Sequence, residues 1–135
     1  MRLAWGLSVA LLMAACSLGD GPVAIWTRPP SDTCLQARVG GTLVADPQSG
    51  LAFRGIDGAP NVPIWWPHGW TARREHGVVL LVSPAGKVVA REGDRILASG
   101  GHGSDPNGGH VSDSVQCDIQ VNPGPDAWTP APWFM

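Results

Sequence analysis

Most of the signatures that would assign an activity are missing from these 135 residues. The chain has no GxSxG nucleophile elbow, no HExxH zinc pair, no phosphate-binding P-loop and no CxxC pair. Each absence removes the usual sequence warrant for one chemistry: serine hydrolysis, zinc peptidase action, nucleotide binding or thiol redox work. Past Ala15, no window of helical length carries apolar residues at i, i+3, i+4 spacing, so amphipathic helices are not expected. There is no internal repeat. Basic residues number 9 against 11 acidic ones, and apart from Arg73-Arg74 they are scattered. A nucleic-acid binder needs a concentrated basic stripe, so no nucleic-acid partner is expected. Tyrosine is absent and phenylalanine occurs twice, whereas tryptophan occurs 7 times and cysteine 3 times.

The N-terminus is more informative. Met1-Arg2 is a minimal basic start, and Leu3 to Ala15 (LAWGLSVALLMAA) is uncharged. That run is too short to span a bilayer, which takes about 20 apolar residues, but suits the apolar region of a secretion signal. It ends in Ala14-Ala15-Cys16, and the segment resembles the bacterial lipobox, with Met13 where leucine is usual and Leu12 beside it. The resemblance implies that residues 1–15 are removed and that Cys16 becomes a diacylated N-terminus. The partner is then the membrane, reached through a lipid anchor, and the location is extracytoplasmic on the bacterial cell membrane. An ordinary cleaved signal peptide, giving a secreted protein, and an uncleaved buried helix are the alternatives. Loss of Arg2 leaves 11 acidic and 8 basic residues, a net charge of −3.

With Cys16 carrying lipid, Cys34 and Cys117 remain as an even pair. Outside the cytoplasm such a pair reads as a disulfide. The competing reading, a reactive or metal-binding thiol, lacks a CxxC or a neighbouring histidine cluster.

Composition divides the rest of the chain. Residues 16–32 are rich in Gly, Pro, Ser and Asp and read as a tether, from which Ile25 and Trp26 stand out as apolar residues suited to dock on a domain. Residues 122–135 form a Pro- and Trp-rich tail that cannot be a helix or an interior strand. Between them, residues 33–121 read as a β domain of short strands separated by turn signals. Strands are expected over 39–45, 51–54, 61–66, 70–74, 78–82, 87–90 and 95–98. Asp46-Pro47-Gln48-Ser49-Gly50 and Arg91-Glu92-Gly93-Asp94 supply good turn chemistry. Pro63 argues for an edge position. The expected fold is all-β: a small single-domain barrel, OB-like, or a compact sandwich.

The strings GTLVADPQSGLAFRG, VPIWWPHGWTAR and GKVVAREGDRI resemble small exported β domains of unassigned function from high-GC bacteria. The resemblance covers Gly40 to Gly103 and is most specific at Trp66 to Trp70. It implies a lipoprotein or secreted β domain and supplies no activity. Leu51 stands where some members have a cysteine, so no second disulfide is expected there.

Two segments could carry chemistry. Trp65, Trp66, His68 and Trp70 form a candidate face for a small ligand or a cell-envelope protein, since indoles can stack on a sugar, a ring or a cation. Strand alternation is expected to place at least one of Trp65 and Trp66 in the core, and His68 reads as a solvated turn residue. The Gly-rich stretch from Gly100 to His110 reads as a mobile loop in which His102 and His110, with a carboxylate, are weak metal candidates. Glu92 and Asp94 could in principle act as paired carboxylates but read as a polar turn. Two functions follow: a non-catalytic binding or interaction module of the envelope, or a metal-binding protein or small metal-assisted hydrolase at His102/His110. No cofactor and no catalytic residue are assigned, and the chain is not expected to be an enzyme.

The anchor is open to direct test. Mass spectrometry of the membrane fraction is expected to find Cys16 as a diacylglyceryl N-terminus, and Cys16→Ser to leave the protein unanchored or misprocessed. Mature protein that still begins at Met1 would refute it.

Overall fold

A computed structural model describes residues 20–104 and 110–124. Cys16, the signal segment and most of the tail, with Trp128 and Trp133, lie outside the described residues, as does the side chain of His110. The described residues form ten strands: β1 (Gly21–Val23), β2 (Trp26–Thr27), β3 (Ala37–Asp46), β4 (Gly50–Phe53), β5 (Val62–Trp66), β6 (Thr71–Glu75), β7 (Val78–Val82), β8 (Val88–Arg91), β9 (Arg95–Ser104) and β10 (His110–Val121). No helix occurs among them.

Five strands close into a barrel. β3 pairs with β4 and with β9, β4 pairs with β5, and β9 pairs with β10, all antiparallel. The ring is closed by a parallel contact between β5 and β10, at Asp113 opposite Ile64 and Ser114 opposite Trp65. The last barrel strand thus slots between the third and the fourth, the Greek-key order of an OB barrel. The long strand β3 serves two neighbours: residues 37–42 face β9 and residues 43–46 face β4.

Between β5 and β9 the chain makes an antiparallel meander, β6-β7-β8, to which β1 adds a fourth strand. Ala72, Val79, Leu81 and Ala90 from this sheet join Val39, Leu43, Leu51, Phe53, Ile64, Trp66, Ile96 and Val115 of the barrel in one buried cluster. The meander is clamped onto β3 by backbone bonds from Gly93 N to Leu43 O and from Leu43 N to Asp94 O, both 2.9 Å.

Turn chemistry sets the corners. Asp46 Oδ2 accepts from Ser49 N and Ser49 Oγ, each at 2.8 Å, so the fully buried Ser49 hydroxyl is satisfied and the β3–β4 turn is fixed. In the β8–β9 turn Asp94 Oδ2 accepts from Arg91 N, while Glu92 Oε1 reaches across to Val79 N at 2.6 Å.

Four expectations need correction. The stretch after Ser99, expected as a mobile loop, is strand to Ser104 and resumes at His110. Its glycines are what permit the pairing: a Cβ on Gly100 would lie 1.7 Å from the Ser114 carbonyl oxygen, so only glycine lets β9 approach β10 this closely. β10, the longest strand, was not expected at all; shifts of register near Val115, Cys117 and Gln120 break its alternation. Residues 20–28 are drawn from the expected tether into the fold, through β1 on β6 and β2 on β5, and Ile25 packs on the core. β5 is not an edge strand. Pro63 is tolerated because the β10 contact begins one residue later, at Ile64.

Within β5, Trp66 is fully buried while Trp65 is 38% exposed. Trp66→Ala is therefore expected to lower unfolding stability by about 3–5 kcal/mol, and Trp65→Ala, whose ring is only partly buried, by about 1–2 kcal/mol. Denaturant melts of the two variants compare them; equal losses would contradict this inside–outside assignment.

Candidate functional site

Strand geometry divides the tryptophans between two jobs. Alternation along β5 turns Ile64 and Trp66 inward and Trp65 outward. Trp70, half-buried beyond the Pro67-His68-Gly69 turn, stacks on Trp66 with ring centroids 6.4 Å apart and planes 26° apart. That pair belongs to the packing. Trp65 instead meets Trp26 of β2, which lies directly opposite it in the parallel pairing; the centroids are 5.0 Å apart and the planes tilted by 42°. The candidate face expected at Trp65, Trp66, His68 and Trp70 is therefore not one surface. Trp65 keeps an open side, and its aromatic neighbour comes from the N-terminal segment.

The surroundings of Trp65 follow from the same pairings. Just after β2, Arg28 N donates to Trp66 O at 2.8 Å, which fixes where this residue leaves the strand. Its guanidinium reaches over β10 and donates from Nη1 to Ser114 Oγ at 2.5 Å. Ser114 is opposite Trp65 on the barrel seam and opposite Gly101 on β9, while Ser112 is opposite Gly103. Trp65, Arg28, Pro29, Ser112, Ser114 and Gly103 together line an open cavity of about 340 Å³. Its chemistry is one indole face, one guanidinium, two hydroxyls and a floor without side chains at Gly103. A Cβ at Gly103 would come within 2.9 Å of Ser112 Oγ, so a larger residue there would intrude on this space.

A second cavity of about 270 Å³ adjoins the first through Arg28 and Pro29. Ser31, Asp32, His68 and Gln116 give it a polar lining, and His68 is exposed there at the tip of its turn. The wall between the cavities is a strap, residues 28–35, fastened to β10 at three points. These are the Arg28–Ser114 bond, a bond from Leu35 N to Gln116 Oε1 at 2.6 Å, and the Cys34–Cys117 pair at disulfide distance with Cα atoms 6.0 Å apart.

The other candidates are placed as follows. Asp113, opposite His102 in the β9–β10 ladder, is a buried carboxylate, and its Oδ1 lies 2.6 Å from His102 Nδ1. The contact orients the half-exposed imidazole as a carboxylate orients a working histidine. His110 is on β10, with its side chain outside the described residues. Among the described residues, the side chains grouped closely enough to hold a metal are Cys34, Cys117 and Asp118. Two of those sulfurs face each other as a disulfide pair rather than as free thiolates. Glu92 and Asp94 spend their carboxylates on the Val79 and Arg91 backbone amides. They are turn residues.

No family model, curated protein or solved structure matches this chain. The arrangement around Trp65 thus has to be read from its own chemistry. Sequence reasoning missed Arg28, Ser112 and Ser114, none of which lies in a recognisable motif. Trp26 is expected from its composition to dock on the domain, as it does on β5, but not to back an exposed indole.

The strap generates a prediction. Non-reducing peptide mapping is expected to find Cys34 joined to Cys117, and the double variant Cys34→Ser/Cys117→Ser to lose about 4–5 kcal/mol, the loop-closure value for a span of 83 residues. Free thiols at both positions in exported protein would refute the link.

Proposed function

We propose that this chain is a non-catalytic binding module of the bacterial cell envelope, held at the membrane by lipid on Cys16 and capturing its ligand on the shelf around Trp65. The observation that carries the reading is that the outward-facing indole of Trp65 lines a cavity together with a guanidinium and two hydroxyls. Of the large apolar side chains left exposed among the described residues, Trp65, at 38%, is the one that lines this cavity. Trp26 and the β5 backbone hold it from behind, so the exposed face is rigid before any ligand arrives. Rigid aromatic area flanked by a few placed polar groups is what small-molecule sites are made of.

The extracytoplasmic location is supported by the lipobox-like end and by the Cys34–Cys117 pair, which suits an oxidising compartment. Metal capture at His102 is the second reading, favoured by the Asp113 carboxylate behind the imidazole. Zinc titration followed by calorimetry separates the two: heat that disappears in His102→Ala would favour metal.

The module reading is tested by co-sedimentation with purified, insoluble cell-wall polysaccharide. Wild-type protein is expected to pellet with it, Trp65→Ala to remain in the supernatant, and Trp70→Phe to behave as wild type. Equal pelleting of wild type and Trp65→Ala, or no pelleting of either, would count against the shelf.

A further inference from the structure

Resting on the shelf reading above, we infer that the ligand is an acidic saccharide, with a sugar ring lying on Trp65 and a carboxylate or phosphate held by Arg28. Arg28 decides the sign of the ligand's charge. Arg28 is half-buried, its guanidinium donates one Nη1 bond to Ser114 Oγ, and it forms no ion pair among the described residues. A guanidinium has five N–H donors in a planar fork that matches the two oxygens of a carboxylate or phosphate. A partly buried cation without a carboxylate against it favours an anion in the cavity at Trp65, whose lining holds no acidic residue among those described, rather than in the adjoining one, where Asp32 repels it. The same charge rejects a quaternary ammonium, which would otherwise suit an open indole.

The rest of the lining selects a sugar rather than a flat aromatic ring. Trp26 backs Trp65 at a tilt of 42° and does not line the cavity, so one indole face is offered and no parallel slot exists for a ring to enter. A pyranose has one face of C–H groups, which covers an indole, and a rim of hydroxyls. Ser114 Oγ accepts from Arg28, which leaves its own proton to donate outward, and Ser112 stands beside it above Gly103. The adjoining cavity, with Ser31, Asp32, His68 and Gln116, offers further hydroxyl partners, so the ligand extends past one ring. Asp32 also argues against a polyanion. A nucleic-acid strand brings a charge with every unit and needs several cations along its track, whereas among the described residues Arg28 is the one lysine or arginine lining either cavity.

Isothermal titration of the mature protein in detergent micelles tests this, using tetragalacturonate, its methyl ester, maltotetraose with and without a 6-phosphate, and an eight-residue oligothymidylate. The acidic forms are expected to bind at least tenfold more tightly than their neutral counterparts, the loss appropriate to one charge-assisted contact. The tighter of the two acids identifies the anion as carboxylate or phosphate. Arg28→Gln is expected to bring the acids down to the affinity of the neutral sugars without changing the latter. Trp65→Ala, or filling the floor with Gly103→Leu, is expected to abolish all saccharide binding while the far-UV circular dichroism spectrum stays that of the folded wild type. Equal binding of acidic and neutral sugars would overturn the acidic ligand and leave the shelf standing. No saccharide binding would overturn both, and tighter binding of the oligothymidylate would replace the saccharide by a nucleic-acid strand.

Discussion

The parallel contact between β5 and β10 is short, two residue pairs at Ile64–Asp113 and Trp65–Ser114, yet the rest of the molecule is arranged around it. Without it the five strands would be an open sheet with two free edges, and free edges are liabilities. Closing them commits β5 to alternate across a seam, which sends Ile64 and Trp66 into the core and Trp65 out. It also brings Ser112 and Ser114 beside that indole. The shelf is thus a by-product of closing the barrel, with Trp65, Ser112, Ser114 and Gly103 on strands and Arg28 on the strap tied across them, which is how a small site acquires fixed geometry.

β2 completes the picture on the other side of β5. Where the β4 ladder ends at Pro63, β5 has an unpaired edge, and Trp26-Thr27 occupies it in parallel register. The segment that follows carries Arg28 over β10 and is tied down through Leu35 and Cys34. Polar anchors of the same kind recur at the opposite corner. Asn122 Oδ1 accepts from Arg95 N at 2.9 Å and Asn122 Nδ2 donates to Asp94, so the end of β10 is fastened to the turn that starts β9. Of these side chains, Gln116 and Asn122 each satisfy a backbone amide, that of Leu35 and that of Arg95.

How much of this was visible beforehand depends on the range of the forces involved. The β3–β4 and β8–β9 corners were legible because Asp46 and Asp94 act on amides within three residues of themselves. Strand β7 was legible as an apolar run between turns. The all-β barrel followed from the repetition of such units. The strand character of Gly100 to Ser104 was not legible, because Gly100 is there for the approach of a backbone fourteen residues away in sequence. Nor was the site. Trp65 could be noticed for its composition, but its separation from Trp66 and Trp70 and its union with Trp26, Arg28 and Ser114 are products of long-range register. A segment that looks like a tether by composition showed Ile25 and Trp26 as docking residues, but gave no sign that it would lend two strands and a cation.

The seam also has a kinetic meaning. Its two strands are separated by the whole meander, and the ring cannot close until β10 exists and has found the gap between β5 and β9. Topologies whose decisive contacts join distant parts of the chain fold slowly, since the entropy of closing a long loop is lost before any contact repays it. Closure of the barrel therefore waits for almost the whole chain, whereas the β3–β4 and β6–β7 hairpins need only their own few residues.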